Sequence, residues 1–573
     1  MDDLPRILAL YESGQLTEAE TACGELLARE PESAAGWALR GSIALKRMAF
    51  AEAADYLQHA AGLTPGDHEL FVNLGMALHG AGRTAEAARA FKDALKRNPR
   101  SAICFMYLGR CYLAAGRLTD AASALNGALR LHPEWPEVLD AFALLSFAVD
   151  RPDKALTFVR RALAREPGRL ASLRLGATAS ERTGNYAAAE AYYREVIAAQ
   201  PETAALAGLA ISLQRLGCHE DAVRAFDQAL DSSPSDSALK HGRGSSLLAL
   251  GRLREGWPLY GARFDMHTNT EAGRATAGET LREPPRAGMR VAAWADQGMG
   301  EQILFANLIP DLIRTGADIA LECDYRLVPL FARSFPQATV CAHTEPVNPA
   351  LASFTDGRFC LSDAAPWFRN TFASFPKHTG YLTPDPRLVA ELKNKYTAGR
   401  TDKPLVGISW RRANGSVLSD TKTLPLEHWG PILHVAGVTF VNLQYGDCGA
   451  ELAAAAEKFG VRIFSDAAID PLMNLDAFAA QVAAMDLVIS TSSTTAHMAG
   501  AVNVPAWTFL PAGVGSLWHW FLDRADSPWY PGMKLFRQSD RGDWETVLDA
   551  ASAALVDFVD AWRSAPAIVA GGT

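Results

Sequence analysis

"GDHELFVNLGMALHGAGRTAEAARAFKDALKRNP" (66–99) ends on a proline, and prolines recur at Pro31, Pro65, Pro99, Pro133, Pro167, Pro201 and Pro234. Their spacing is 34 residues five times and then 33. The residues between them keep step. Phe71, Gly75, Leu78, Ala87, Phe91 and Ala94 stand where Trp37, Gly41, Ala44, Ala53, Leu57 and Ala60 stand one repeat earlier. Phe105, Gly109, Tyr112, Ala121, Leu125 and Ala128 follow one repeat later. Small residues at two fixed slots allow two helices to approach closely. The large residue four positions after the second small one is expected to fill the gap between neighbouring hairpins. The proline cannot continue the hydrogen-bond ladder and ends the second helix.

A period of 34 is that of tetratricopeptide repeats, each a helical hairpin that buries its apolar face only against its neighbours. Seven repeats reach residue 234, and 237–264 keeps the frame at Gly244 and Gly256 as a degenerate eighth repeat or cap, so 1–265 is read as one repeat domain. Such stacks hold a protein partner in their groove. Only Asn73 occupies the slot suited to bonding an extended peptide backbone. Leu39, Tyr107 and Ala141 take the equivalent places, which points to a folded or helical partner read by its side chains.

The 573 residues exceed one core, and 49% hydrophobic with 21% charged residues describes a globular chain. A net charge of −9 disfavours a general nucleic-acid binder. No apolar run approaches the ~18–20 residues of a membrane span, and "MDDLPRILALYESG" (1–14) opens with acids rather than a basic leader. A cytoplasmic protein is expected. The eight cysteines form no C-x-x-C and are read as free.

After a polar stretch, 266–287, read as a linker, the periodicity changes. "MRVAAWA" (289–295), "DQGMG", "EQILFANLIPDLIRTG" and "ADIALECD" run as strand, turn, helix and strand. The alternation restarts at "LVGISW" (405–410) and continues through "VTFVNLQYG" (438–446), "DLVIST" (486–491) and "VPAWTFLP" (504–511). Two parallel α/β units, 288–390 and 391–573 with a C-terminal helix, are expected to bind a ligand between them at their strand carboxyl ends.

Three strand-end loops carry candidate chemistry. In the first, Gly298 and Gly300 permit a tight backbone, with Asp296 and Gln297 beside them. Glu301 opens a helix, either as a general base for a hydroxyl or as a favourable charge at a helix N-terminus. In the second, Arg411, Arg412 and Lys422 suit a phosphate or carboxylate. The third is "ISTSSTTAHMAG" (489–500). Ser492, Ser493, Thr494 and Thr495 supply hydroxyls at a helix start whose free N–H groups attract an anion, and His497 follows in the first turn. There is no D-x-D in these loops, no G-x-x-x-x-G-K-[ST], no G-x-G-x-x-G and no metal-ligand spacing.

"WADQGMGEQILFANLIPDLIRTGADIALEC", "VGISWR", "VNLQYGD", "DLVISTSSTTAHMAGAVNVPAWTFLP", "WHWF" and "SPWYPGMKLFRQSDRGDW" resemble bacterial proteins that join tetratricopeptide repeats to a GT-B glycosyltransferase. The likeness is greatest to flagellin glycosyltransferases, and more distant to heptosyltransferases and O-GlcNAc transferase. The fold it implies is an α superhelical tetratricopeptide solenoid followed by an α/β GT-B-type pair of Rossmann-like domains. The reaction it implies is a metal-independent, inverting transfer of a nonulosonic acid such as pseudaminic acid, CMP-linked rather than UDP-linked, onto Ser/Thr of flagellin held by the repeats. No cofactor besides this nucleotide-sugar co-substrate is implied. In that scheme Asp296, Gln297, Gly298 and Gly300 form the acceptor-side loop and Glu301 is the base. Arg411, Arg412, Lys422, Ser492, Ser493, Thr494, Thr495 and His497 hold the departing nucleotide. The heptosyltransferase Asp-Thr is replaced here by Ser492-Ser493, which suits a donor bringing its own carboxylate. A UDP-hexose or UDP-GlcNAc enzyme and a non-catalytic repeat adaptor are the alternatives.

Overall fold

A computed structural model describes residues 3–266, 278–296, 298–377, 379–399, 402–412 and 421–564. The chain divides into two compact units, Met1–Leu209 and Ala210–Thr573.

The first unit is a helical solenoid. Its hairpins are Asp3–Glu12 with Leu16–Arg29, Ala34–Lys46 with Phe50–Leu63, His68–Gly80 with Thr84–Arg97, Ala102–Ala114 with Leu118–Leu131, Pro136–Ala148 with Pro152–Arg165, and Leu170–Arg182 with Tyr186–Ala199. The glycine slot acts differently from the sequence expectation. Leu57, Phe91 and Leu125 fill the gap inside their own hairpin, not the gap to the next. A Cβ at Gly75 would stand 2.6 Å from Phe91 Cε1, and one at Gly109 2.6 Å from Leu125 Cδ2. The two helices of a hairpin approach so closely that one side chain consumes the whole space.

Gly75→Val is therefore expected to destabilise by about 1–3 kcal/mol through overpacking. Gly24→Ala, at a helix site where a Cβ meets nothing within 4 Å, is expected to stabilise by about 0.5–1 kcal/mol. Denaturation midpoints followed by helix signal read both, and equal shifts would contradict the packing argument. Asn73 and Tyr107 line a cavity of about 550 Å³ with Lys46, His79 and Arg110, whereas Ala141 lines another of about 310 Å³.

The helix Thr203–Leu216 spans the division between units, and the second unit continues with His219–Ser232, Ser237–Ala249 and the short Leu253–Tyr260. Two sheets follow. The first has β1 (Arg290–Trp294), β2 (Asp318–Cys323), β3 (Thr339–Ala342) and β4 (Gly357–Cys360) in the order β3-β2-β1-β4, all parallel. The second has β5 (Leu405–Ser409), β6 (Thr439–Asn442), β7 (Leu487–Thr491), β8 (Ala506–Leu510), β9 (Asp526–Ser527) and β10 (Tyr530–Arg537) in the order β6-β5-β7-β8-β10-β9. Its pairs are parallel except β9 with β10. Both are α/β sheets, with β1, β5, β7 and β8 nearly or wholly buried along their length.

Two expected boundaries need correction. Of the 266–287 linker, residues 267–277 lie outside the described residues, but its end is not loose chain. The N–H of Leu281 donates to Arg358 O and that of Arg358 to Glu279 O, each at 2.9 Å. The exposed edge of β4 offers unpaired backbone groups, and the linker satisfies them. The boundary at residue 390 falls inside the helix Pro386–Thr397, whose Tyr396 hydroxyl donates to Asp466 Oδ2 at 2.9 Å and whose Lys393 pairs with Asp486 at 2.9 Å. That helix therefore belongs with the second sheet.

One apolar core joins the last hairpin (Leu248, Trp257, Tyr260), the first sheet (Val291, Leu321, Phe359) and the second (Val488, Trp520, Trp529). Within it Arg369, 1% exposed, donates to Asn307 Oδ1 and Asp311 Oδ2 at 2.7 Å each. Trp257 Nε1 donates to Arg369 O at 2.9 Å. The described cysteines are all free. Among the described residues no helix is long and apolar enough to cross a membrane.

Candidate functional site

The parallel sheets leave their strand-end loops around one cavity of about 500 Å³. Gly298–Glu301 after β1, Arg412 after β5, Tyr445 after β6 and Ser492–Thr495 after β7 line it, with Arg326, His497 and His519. Of the residues singled out in the sequence, Gly298, Gly300, Glu301, Arg412, Ser492, Ser493, Thr494, Thr495 and His497 meet there.

Glu301 is the third residue of the helix Met299–Phe305, capped by Gly298. Its carboxylate folds back over Gly298, where an added Cβ would stand 2.8 Å from Oε2, the direction of a capping-box glutamate. Glu301 thus stands in the first turn of its helix and also lines the cavity. Burial, and then the neighbouring Asp296, raise its pKa, while Arg263 and Arg412 oppose the rise.

Asp296 does not face the cavity as an acceptor-side residue. It is buried at 7% exposure, accepts from Ser362 Oγ at 2.6 Å and lies 3.7 Å from Arg263. The strand's alternation turns its side chain to that polar cluster. Gln297 lies outside the described residues.

Arg411 also departs from expectation. Its Nε lies 3.0 and 3.1 Å from the two Glu451 carboxylate oxygens, and its Nη2 donates to Asp447 O at 2.7 Å. Adjacent residues leaving a strand point to opposite sides, so Arg412 faces the cavity and Arg411 is spent on the helix Gly449–Phe459. Lys422 is 3% exposed and packs its stem beside Gly515. Burial, then Arg412 and Arg215, lower its pKa to about 7, with Glu301 opposing. The segment between these cations, 413–420, lies outside the described residues.

The hydroxyl run divides by use. Ser490 Oγ donates to Thr491 O at 2.8 Å and so accepts from Ser493 Oγ at 3.0 Å. Ser492 Oγ accepts from Trp520 Nε1 at 2.9 Å and keeps its own proton. Thr494, half-buried, opens the helix Thr494–Ala501, whose first N–H groups have no intrahelical partner. His497 is 4% exposed, with Nδ1 2.8 Å from the Tyr530 hydroxyl and its ring stacked on Trp520 at 5.1 Å and 21°. Burial, then Lys422 and Arg412, lower its pKa to about 3.

The repeat half matches the tetratricopeptide repeat family over residues 4–68, 72–136, 141–204 and 208–256. Protein FlbA of Caulobacter vibrioides (strain ATCC 19089 / CIP 103742 / CB 15) is 33% identical over 435 residues, 72% of this chain and 71% of that protein. The chain belongs to the FlbA family. The repeats end by residue 265, so a 435-residue likeness runs on into the α/β half of this FlbA-family chain.

Among solved structures, a chain of the APC/C hetero-tetramer Cut9-Hcn1 is 18% identical, with 42% of this chain and 48% of that one covered at a TM-score of 0.37. TTC0263, a thermophilic tetratricopeptide-repeat protein of Thermus thermophilus, is 24% identical, with 32% and 97% covered at a TM-score of 0.26.

Sequence reasoning about the FlbA-family chain passed over Arg326, Gln444 and His519. Arg326 clasps Asp324 through Nε and Nη2 at 2.8 Å each and donates from Nη1 to Leu472 O at 2.8 Å, tying the loop after β2 to the second sheet's side. Gln444 Oε1 accepts from the N–H groups of Trp410 and Arg411 at 2.9 Å each, fixing where β5 ends. His519 lay in the quoted "WHWF" but carried no spacing signal. It is 3% exposed, lines the cavity, and its Nε2 has no hydrogen-bond partner among the described residues.

Proposed function

We propose that this FlbA-family chain is a protein O-glycosyltransferase of GT-B type, moving a nonulosonic acid from its CMP form to Ser/Thr of a protein acceptor, flagellin, recruited by the repeats. The reading rests on one cavity walled by strand-end loops of both sheets. It offers a half-buried carboxylate from one side and, from the other, an arginine with a hydroxyl-bearing helix start. The resemblance of these loops supplies the donor and acceptor classes.

In the reaction, Glu301 takes the proton from the acceptor hydroxyl as its oxygen bonds to the anomeric carbon. The bond from that carbon to the phosphate oxygen breaks, with inversion. Arg412, Lys422 and the N–H groups at Thr494–Thr495 receive the charge on the departing nucleotide. No protein carboxylate lies between Ser490 and His497 to repel an anionic sugar. The repeats raise the acceptor's effective concentration.

Intact-mass analysis of the acceptor after incubation with the full chain and each donor tests this. One nonulosonic acid mass supports the proposal, and a hexose or N-acetylhexosamine mass transfers it to the UDP-linked alternative. No added mass, with no thermal shift from CMP or UDP, favours the adaptor.

Lys422 makes binding pH-dependent. Its folded pKa of about 7 lies below the usual 10.5, so the unfolded chain binds this proton more readily. Its stability contribution is present above about 10.5 and is lost as pH falls through about 7. A bound phosphate reverses the preference, because it stabilises the ammonium. CMP binding at pH 8 is expected to take up a proton, seen as a buffer-dependent enthalpy, and Lys422→Met to abolish the uptake. Uptake unchanged in Lys422→Met would place the titrating group elsewhere.

A further inference from the structure

Two turns at the rim of the cavity carry apolar tips where turns usually carry polar ones. The first follows β2 and presents Tyr325 between Asp324 and Arg326. The second is "DPLMN" (470–474) and presents Leu472 and Met473. Tyr325 is 58% exposed and Met473 59%, and Leu472 is exposed beside them. Both turns are built alike, with an aspartate accepting from the backbone two residues on. The Arg326 N–H donates to Asp324 Oδ1 at 2.9 Å, and the Leu472 N–H to Asp470 Oδ1 at 2.8 Å. The Met473 N–H shares that oxygen at 3.1 Å, and Asn474 caps the helix Leu475–Ala483 by accepting from the Ala477 N–H at 3.0 Å. Arg326 joins the two turns, with its guanidinium 5.8 Å from the Tyr325 ring and Nη1 donating to Leu472 O.

The three side chains are thus displayed on fixed backbone. Single exposed apolar residues are ordinary, but here they gather. Among the described residues of the second unit, seven large apolar side chains are exposed. Leu472 and Leu517 line the cavity, and Tyr325 and Met473 adjoin lining residues in the chain.

Their position says what covers them. Glu301 lies half-buried in the cavity wall, so an acceptor hydroxyl meets it by entering. A cavity of about 500 Å³ shared with a nucleotide sugar has no room for the acceptor's main chain, which stays at the mouth. The residues on either side of the Ser/Thr then cross the rim. Tyr325 and Met473 are not part of the cavity lining, so a nucleotide sugar inside does not cover them, whereas a chain crossing the mouth does. We infer that Tyr325, Leu472 and Met473 form an acceptor-docking rim, on which the acceptor lays a large apolar side chain from within a few residues of its Ser/Thr. The rim selects which hydroxyls are modified, while the repeats select which protein is held. The occupant rests on the function proposed above.

Photo-crosslinking reads the contact without requiring turnover. Tyr325 of the full chain is replaced by p-benzoylphenylalanine, irradiated with the flagellin acceptor, and the crosslinked peptide is mapped by mass spectrometry. A crosslink to an acceptor peptide with an apolar residue beside a Ser/Thr supports the inference. A crosslink elsewhere in the acceptor, one to a second copy of this chain, or none at all overturns it.

Kinetics supply the second arm. Tyr325→Ser with Met473→Ser keeps both turns, whose hydrogen bonds use aspartate side chains and backbone N–H groups. The pair is expected to lower kcat/KM for the acceptor about tenfold and to leave CMP affinity and the thermal midpoint unchanged. Tyr325→Phe with Met473→Leu is expected to keep the wild-type kcat/KM. Unchanged kcat/KM in the serine pair, equal losses in both pairs, or weakened CMP binding overturns the inference. Should the wild type bind no CMP and transfer no sugar, the transferase reading falls, and the crosslink alone decides whether the rim holds the acceptor.

Discussion

Glu301→Gln is expected to lower the transfer rate by about 10²–10⁴-fold while leaving the fold and nucleotide binding in place. The substitution separates the base role proposed for this residue from its place at the helix start. At the helix start the side chain folds over Gly298, and a glutamine of the same shape keeps that contact. As a base, it has to bind a proton, which an amide does not. Thermal stability and CMP affinity should therefore match the wild type while single-turnover product formation collapses.

The pH profile gives an independent check. Burial and Asp296 raise the Glu301 pKa, so the ionised, active form grows as pH climbs above the ordinary carboxylate range. The rate should rise over that interval and the residual Glu301→Gln rate should be flat. Full activity in Glu301→Gln would remove Glu301 as the base and leave the cap as its whole role.

The second large effect is on stability. Asp311→Ala is expected to destabilise the second unit by about 3–5 kcal/mol, because it leaves the Arg369 guanidinium buried without its carboxylate. Arg369 is 1% exposed, and burial already pushes its pKa down. It donates to Asn307 as well as Asp311, and its carbonyl receives Trp257 from the last hairpin. Replacing both partners with apolar residues, Asp311→Leu with Arg369→Met, should restore much of the loss, since a buried ion pair repays its desolvation only in part. Unfolding midpoints of the two single variants and the double variant, read by tryptophan fluorescence, form the cycle. If Asp311→Ala shifts the midpoint by less than the equivalent of about 1 kcal/mol, the pair is not a structural clasp.

Glu301 and Arg369 differ in how visible they are before folding. Glu301 follows a Gly-bearing turn after an apolar run, and that local grammar placed it at a strand end. Arg369 has no such context in "APWFRNTF", and only the closure of three elements around it makes it a buried ion. The neighbours Arg411 and Arg412 make the same point at one position. Both follow β5 and are chemically identical, so sequence could not choose between them. The pleat sent one to Glu451 and the other to the cavity. His519 was hidden for a related reason: its loop after β8 becomes a cavity wall only when Trp520 packs on His497.

The sequence by itself determined the repeats, through a proline period kept in step with its small and large apolar slots, and the alternation of apolar strands with helices in the second half. Those are local and periodic properties, written in residues a few positions apart. Tertiary structure alone decided which side chains of each loop face the cavity. It also decided how the hydroxyl run is bonded, with Ser490 donating to a backbone carbonyl, Ser493 to Ser490 and Trp520 to Ser492, and that His497 packs on Trp520 with Nδ1 against the Tyr530 hydroxyl. Such outcomes depend on contacts between residues as distant in sequence as Ser492 and Trp520, or His497 and Tyr530. No short-range pattern in the sequence carries that information.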